Sequence, residues 1–268
     1  MIRIIFGDNG AGKSGLLAHL GNVAAFDRKR NNLMRAEIAE RNCNGFNLTI
    51  PQHAVASNID MTFSMPFCYP RKPRIINPFR LGLQLDAPKG VKCHYTLPYE
   101  TILIDEAQKY FYSKGGTIEP YRTNFFEENR HNDLEIYMTT PGAMLIVKDI
   151  RRLAYCWHVL DRKVVTNRSG KVQTRWCVRE IPPGDGNIET YLSKSKSEQE
   201  ELYEQRIIIA PYNVFKLYDS QGCRYKYIEG HLDDDFDLEY SVEMPITMAD
   251  YREHEKIFND KKQEGQAK

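Results

Sequence analysis

Residues 7–14 read Gly7-Asp8-Asn9-Gly10-Ala11-Gly12-Lys13-Ser14 and satisfy the spacing G-x-x-x-x-G-K-S/T. From residue frequencies alone, such an octet arises roughly once in a hundred chains of this length. Its position matters as much as its letters. Ile2 to Phe6 (IRIIF) is a β-branched and aromatic run broken only by Arg3, which predicts a buried strand. Leu16, Leu17 and Leu20 then recur at helical spacing over Lys13 to about Ala25. Strand, glycine-rich loop and helix, in that order, is the context a phosphate-binding loop requires. Its glycines let backbone N–H groups turn inward around phosphate, and the helix start adds its dipole. Lys13 is placed to reach the β- and γ-phosphates, and Ser14 to ligate Mg²⁺. Gly7, Asp8, Asn9, Gly10, Ala11, Gly12, Lys13 and Ser14 are therefore the candidate nucleotide-binding residues, with ATP and Mg²⁺ as cofactors.

A second run supports the first. Tyr99 to Ile104 (YETILI) reads as a strand that delivers Asp105 and Glu106 at its C-terminal tip, where open α/β sheets bind ligands. Asp105 is placed to hold the metal together with Ser14, and Glu106 to orient and deprotonate a water attacking the γ-phosphate. Leu134 to Thr139 predicts another strand, and Thr140 at its end is the candidate polar sensor. Arg151 is the candidate positive finger, a group that phosphoryl-transfer sites often borrow from a neighbouring subunit. A helix-compatible stretch over Ala107 to Tyr112 and the charged segment 122–133 separate the two strands, and this alternation argues for a parallel α/β sheet. Further on, Leu153 to Leu160 and Val172 to Ile181 flank the turn-like Asn167-Arg168-Ser169-Gly170 and predict an antiparallel hairpin. Residues 193–206 read as one solvated helix. Residues 43–98 show little periodicity.

Composition limits the alternatives. Of 268 residues, 41% are hydrophobic and 27% charged, as in ordinary globular domains. The formal charge of +1 offers no bulk field for nucleic acid or anionic lipid. Any basic stripe must be local, with Arg71-Lys72-Pro73-Arg74 and Arg151-Arg152 as the candidates. The six cysteines show no C-x-x-C spacing, which argues against a zinc site or a disulfide framework. Apolar runs such as Ala143 to Val147 are far shorter than the ~20 residues a bilayer span needs. A cytoplasmic polypeptide is expected.

The motifs together resemble the zonular occludens toxin-like family, the filamentous-phage gene I assembly proteins among the P-loop ATPases. The matching pieces are GDNGAGKS, ILIDEAQKYF (Ile102 to Phe111), RHNDLEIYMTT (Arg130 to Thr140), KDIRRLA (Lys148 to Ala154) and YNVFKLYDS (Tyr212 to Ser220). The first two are generic to P-loop ATPases, and their combination with the other three is more specific. The fold expected on both grounds is α/β, a RecA-like three-layer P-loop NTPase core with a mostly parallel sheet and an added β-hairpin toward the C-terminal half. Residues 1–220 would form the ATPase domain, with 43–98 a family-variable insertion, and 221–268 a charged extension with five carboxylates between Asp233 and Glu239. The resemblance implies an ATP-hydrolysing motor at the host inner membrane that assembles and extrudes virions. It would act as a homo-oligomeric ring alongside phage export proteins and single-stranded phage DNA. Family members continue into a transmembrane helix, so membrane association is expected only through a segment outside this sequence. Two alternatives stay open: a DNA-packaging or DNA-translocating ATPase, and a nucleotide-dependent binding switch. Members often carry Gln after the strand-end Thr, whereas Pro141 follows Thr140 here.

Overall fold

The first strand, β1 (Ile2–Phe6), is buried on both faces, as its near-continuous apolar sequence requires. The computed structural model describes residues 1–43, 50–65, 68, 70–86, 92–94, 96–113, 118–214 and 217–218. After β1 come α1 (Lys13–Ala25), α2 (Arg28–Cys43) and the short strands β2 (Val55–Ser57), β3 (Arg74–Ile75), β4 (Gln84–Asp86) and β5 (Lys92–His94). Then follow β6 (Thr101–Ile104), α3 (Pro120–Glu128), β7 (Glu135–Thr140), α4 (Lys148–Arg151), β8 (Tyr155–Thr166) and β9 (Val172–Ile181). The last elements among the described residues are α5 (Asn187–Ser193), α6 (Lys196–Leu202) and β10 (Gln205–Ala210).

The main sheet has the order β10-β9-β8-β1-β7-β6-β2-β3, parallel from β8 through β3 and antiparallel at β9 and β10. β4 and β5 pair separately. One strand, β7, lies between β1 and β6, so the glycine-rich loop and the Asp105–Glu106 tip leave the same rim of the sheet about 10 Å apart, a gap that side chains can span.

Strand alternation sorts the core into two layers. Ile4, Ile102, Ile104, Ile136 and Met138 pack with Phe111, Phe126, Ile150 and Tyr191 on one face. Ile5, Val55, Leu103, Tyr137 and Trp157 pack with Leu16, Leu17 and Ala18 of α1 and with Phe63 on the other. The expected α/β core of three layers with a mostly parallel sheet and an added hairpin is thus what the chain forms.

Three local expectations change. Ala107 to Tyr112 is a single 3-10 turn over Ala107–Lys109, because Glu106 takes a left-handed backbone conformation (φ 54°) that breaks any smooth helical start. The solvated helix expected over 193–206 is split: Ser195 starts α6 with a capping box, and Gln205–Ala210 is instead an edge strand with Ile207 and Ile209 exposed. In the unpatterned middle, β2 and β3 are too short to display alternation, yet β2 is fully buried beside β6. The charged extension from residue 221 onward lies outside the described residues. Among the described residues, no helix is long and apolar enough to cross a membrane.

Gly21 shows how closely α1 lies on the sheet. A Cβ there would stand 2.4 Å from Leu103 Cδ1 and 2.8 Å from Phe63 Cε1, both in the buried core. Alanine gains about 1 kcal/mol over glycine in a helix interior, but overpacking a close-packed core typically costs 1–3 kcal/mol. Gly21→Ala is therefore expected to lower the denaturant midpoint with the slope unchanged; a raised midpoint would mean that α1 lifts freely from β6.

Candidate nucleotide-binding and active site

The octet leaves β1 at Gly7, turns with Gly10 and Gly12 at positive φ, and enters α1 at Lys13. Lys13 Nζ donates to the carbonyls of Gly7 (2.9 Å) and Asp8 (3.0 Å), which folds the side chain back over the loop. Burial pushes the Lys13 pKa down, opposed by the nearby charges of Glu106, Asp105 and Asp8. The Ser14 hydroxyl donates across the gap to the Asp105 carboxylate, 3.0 Å from Oδ1 and 3.1 Å from Oδ2. Loop and carboxylate strand therefore meet directly, and the residues expected to share a metal are adjacent.

Asp105 is only 5% exposed and is bound on several sides. Thr139 donates its hydroxyl to Asp105 Oδ1. Asn58 clamps the Asp105 backbone, its amide donating to Asp105 O (2.9 Å) and its carbonyl accepting from Asp105 N–H (2.8 Å). The Glu106 N–H donates to Thr139 Oγ1 (3.1 Å), and the Glu106 carboxylate accepts from Gln108 Nε2. A left-handed non-glycine residue such as Glu106 typically costs 1–3 kcal/mol unless its surroundings hold it; Thr139 is the group that holds it.

The register explains why Thr139, rather than the expected sensor Thr140, makes these bonds. Leu103 pairs with Tyr137 and Ile104 with Met138, so Asp105 continues opposite Thr139, on the face of the sheet that α1 covers. Thr140 points to the other face and donates to the carbonyl of Gly142 (3.1 Å). Arg151 lies on that other face too: it is buried in α4, donates to the Ile146 carbonyl and pairs with Glu189 at 2.8 Å. The structure brings Lys13, Ser14, Asp105 and Glu106 together and leaves Thr140 and Arg151 outside the cluster.

Sequence reasoning missed Thr139 by one residue, for lack of a register. It missed Asn58 entirely, because the segment around it carries no periodic signal. It also missed Trp176 of β9, whose Nε1 donates to Gly12 O (3.1 Å) and whose ring stacks on His19 of α1 (5.8 Å between centroids). The candidate basic stripes are already partnered. Arg74 pairs with Glu100 (2.8 Å), Lys72 with Asp60 (3.5 Å) and Arg152 with Glu127 (2.6 Å), and Arg71 lies over the Phe26 ring (4.6 Å).

The donor set fits nucleotide and metal. A hydroxyl and a buried carboxylate already in contact are oxygen ligands of the kind Mg²⁺ takes, and a lysine beside a glycine turn at a helix start suits phosphate. The sequence matches the family model described as zonular occludens toxin (Zot) over residues 1–222. The chain belongs to the Zot family. Among solved structures it is similar to the N-terminal domain of zonular occludens toxin from Neisseria meningitidis, with 18% identity, 81% of this chain and 98% of that one covered, and a TM-score of 0.44. It is also similar to the genome packaging NTPase B204 from Sulfolobus turreted icosahedral virus 2 in complex with ATP-gammaS, with 10% identity, 79% and 96% covered, and a TM-score of 0.33. No curated protein matches.

Tyr212, the first residue of the YNVFKLYDS stretch, is tied to α1. Asn22 donates to the Tyr212 hydroxyl (2.9 Å), and the same hydroxyl shares a hydrogen bond with His19 Nδ1 (2.8 Å). Burial pushes the His19 pKa down to about 4. The unfolded chain takes up that proton near pH 6.5, the folded chain only near 4, so stability is full above about 6.5 and is lost as pH falls toward 4. His53, pushed down to about 3 mainly by burial, acts with the same sign. Replacing His19 with Gln should lower stability at pH 7.5 and shrink its further loss between pH 6.5 and 5, followed by urea melts. An undiminished loss would remove His19 as a source of the acid sensitivity.

Proposed function

We propose that this Zot-family chain is a Mg²⁺-dependent ATP hydrolase that drives phage virion assembly and extrusion at the host inner membrane. The observation that carries the reading is the bond between Ser14 and the Asp105 carboxylate, made beside Lys13 and Glu106. In this reading the loop N–H groups and Lys13 hold the phosphates, while Ser14 and Asp105 hold the metal. Bound Mg²⁺ would supply charge neutralisation at the phosphate oxygens. Glu106, set just past the strand end by Thr139, orients and deprotonates the attacking water. Thr139 positions the Asp105 carboxylate and the Glu106 backbone.

The assembly role, the ring and the tether at the membrane rest on family membership. In a ring, a cation from a neighbouring subunit would complete each site. Arg151 would have to leave Glu189 to serve there, so another arginine suits the role better.

Lys13→Ala should abolish binding of a fluorescent ATP analogue, because the main cationic partner of the phosphates is gone. Glu106→Gln should keep that binding and lose hydrolysis by ~10² or more in single-turnover assays. Wild-type binding in the first variant, or wild-type hydrolysis in the second, would overturn the assignment.

A further inference from the structure

On the reading above, the Ser14–Asp105 bond would put the metal and terminal-phosphate end of the site toward β6. The opposite side of the loop faces the β8–β9 hairpin and the segment after β10, and neither has a role so far. A Cβ on Gly12 would stand 2.4 Å from Arg162 Cδ and 3.1 Å from Trp176 Nε1. A Cβ on Gly15 would stand 3.3 Å from Val214 Cγ2 and 3.4 Å from the Tyr218 hydroxyl.

These neighbours are placed by particular features. The register of β8 against β9 shifts between Val159 and Asp161, and beyond that bulge Arg162 lies directly opposite Trp176. Bulges of this kind re-aim side chains beside functional sites. Trp176 is fully buried, held by Gly12 O and by the His19 ring, so it fixes β9 against the loop and α1. Arg162 and Tyr218 are half-buried and stand at its margin. Val214 and Leu217 pack into the same layer as Trp176, which anchors the backbone that carries Tyr218.

A nucleotide whose terminal phosphate lies at Asp105 and Glu106 must extend its other end across the loop, away from β6. On that side stand a guanidinium and a phenol ring beside the buried Trp176, and a guanidinium plane or an aromatic ring is a surface on which a base stacks. We propose that the nucleoside half of the bound nucleotide seats against Arg162 and Tyr218, which makes both of them substrate-binding residues. This rests on the phosphate-loop reading above and adds the base-side contacts to it.

The test compares two probes on the full chain by calorimetric titration with Mg²⁺ present: ATP, and inorganic tripolyphosphate, which has phosphates and no nucleoside. Arg162→Ala and Tyr218→Ala should each weaken ATP binding about tenfold and leave tripolyphosphate affinity unchanged. Retained tripolyphosphate binding also shows that the variant is folded at the loop. Equal loss of both probes would make the residue a phosphate or structural contact and overturn the proposal, as would wild-type ATP affinity in both variants. Lys13→Ala separates the two readings, since it should lose both probes. If the wild-type chain binds neither probe, the phosphate-loop reading fails and this proposal fails with it.

Discussion

The hydrogen bond from Ser14 to Asp105 is the constraint on which the site depends. It joins two elements that the sheet keeps apart, since β7 runs between β1 and β6. A buried carboxylate without partners is expensive enough to shift its protonation or disrupt its surroundings. Asp105 avoids this through Ser14 and Thr139, while Asn58 satisfies its backbone N–H and carbonyl. The same contacts aim the carboxylate at the start of α1, so stability and site geometry come from one set of bonds.

Thr139 links that set to the strained residue beside it. Its oxygen accepts from the Glu106 N–H while its hydroxyl donates to Asp105. A left-handed glutamate at a strand tip is unfavourable in isolation, and its persistence here depends on that threonine. Strand alternation adds a division of labour: the face that packs on α1 carries Asp105 and Thr139, whereas Thr140 and Arg151 serve the opposite layer.

Much of this was legible in the sequence, and the reason is local. A phosphate loop needs its glycines, lysine and serine in one contiguous octet, and the acidic tip needs only a strand followed by two carboxylates, so Lys13, Ser14, Asp105 and Glu106 could be named without a fold. Thr139 against Thr140 is decided by register between β6 and β7, which a single strand does not encode. Asn58, Arg162 and Trp176 reach the site through β2 and the β8–β9 hairpin, far away in sequence, and no spacing rule marks them. Arg151 looked like a finger because an arginine near the expected place is easy to find; only the fold shows it bonded to Glu189 of α5.

A crystal structure of the chain with Mg²⁺ and a non-hydrolysable ATP analogue tests the central claim most directly. The metal should lie between the Ser14 hydroxyl and the Asp105 carboxylate, with Lys13 Nζ moved from the carbonyls of Gly7 and Asp8 onto phosphate oxygens. A nucleotide bound elsewhere, with the Ser14–Asp105 bond and both Lys13 bonds intact, would contradict it.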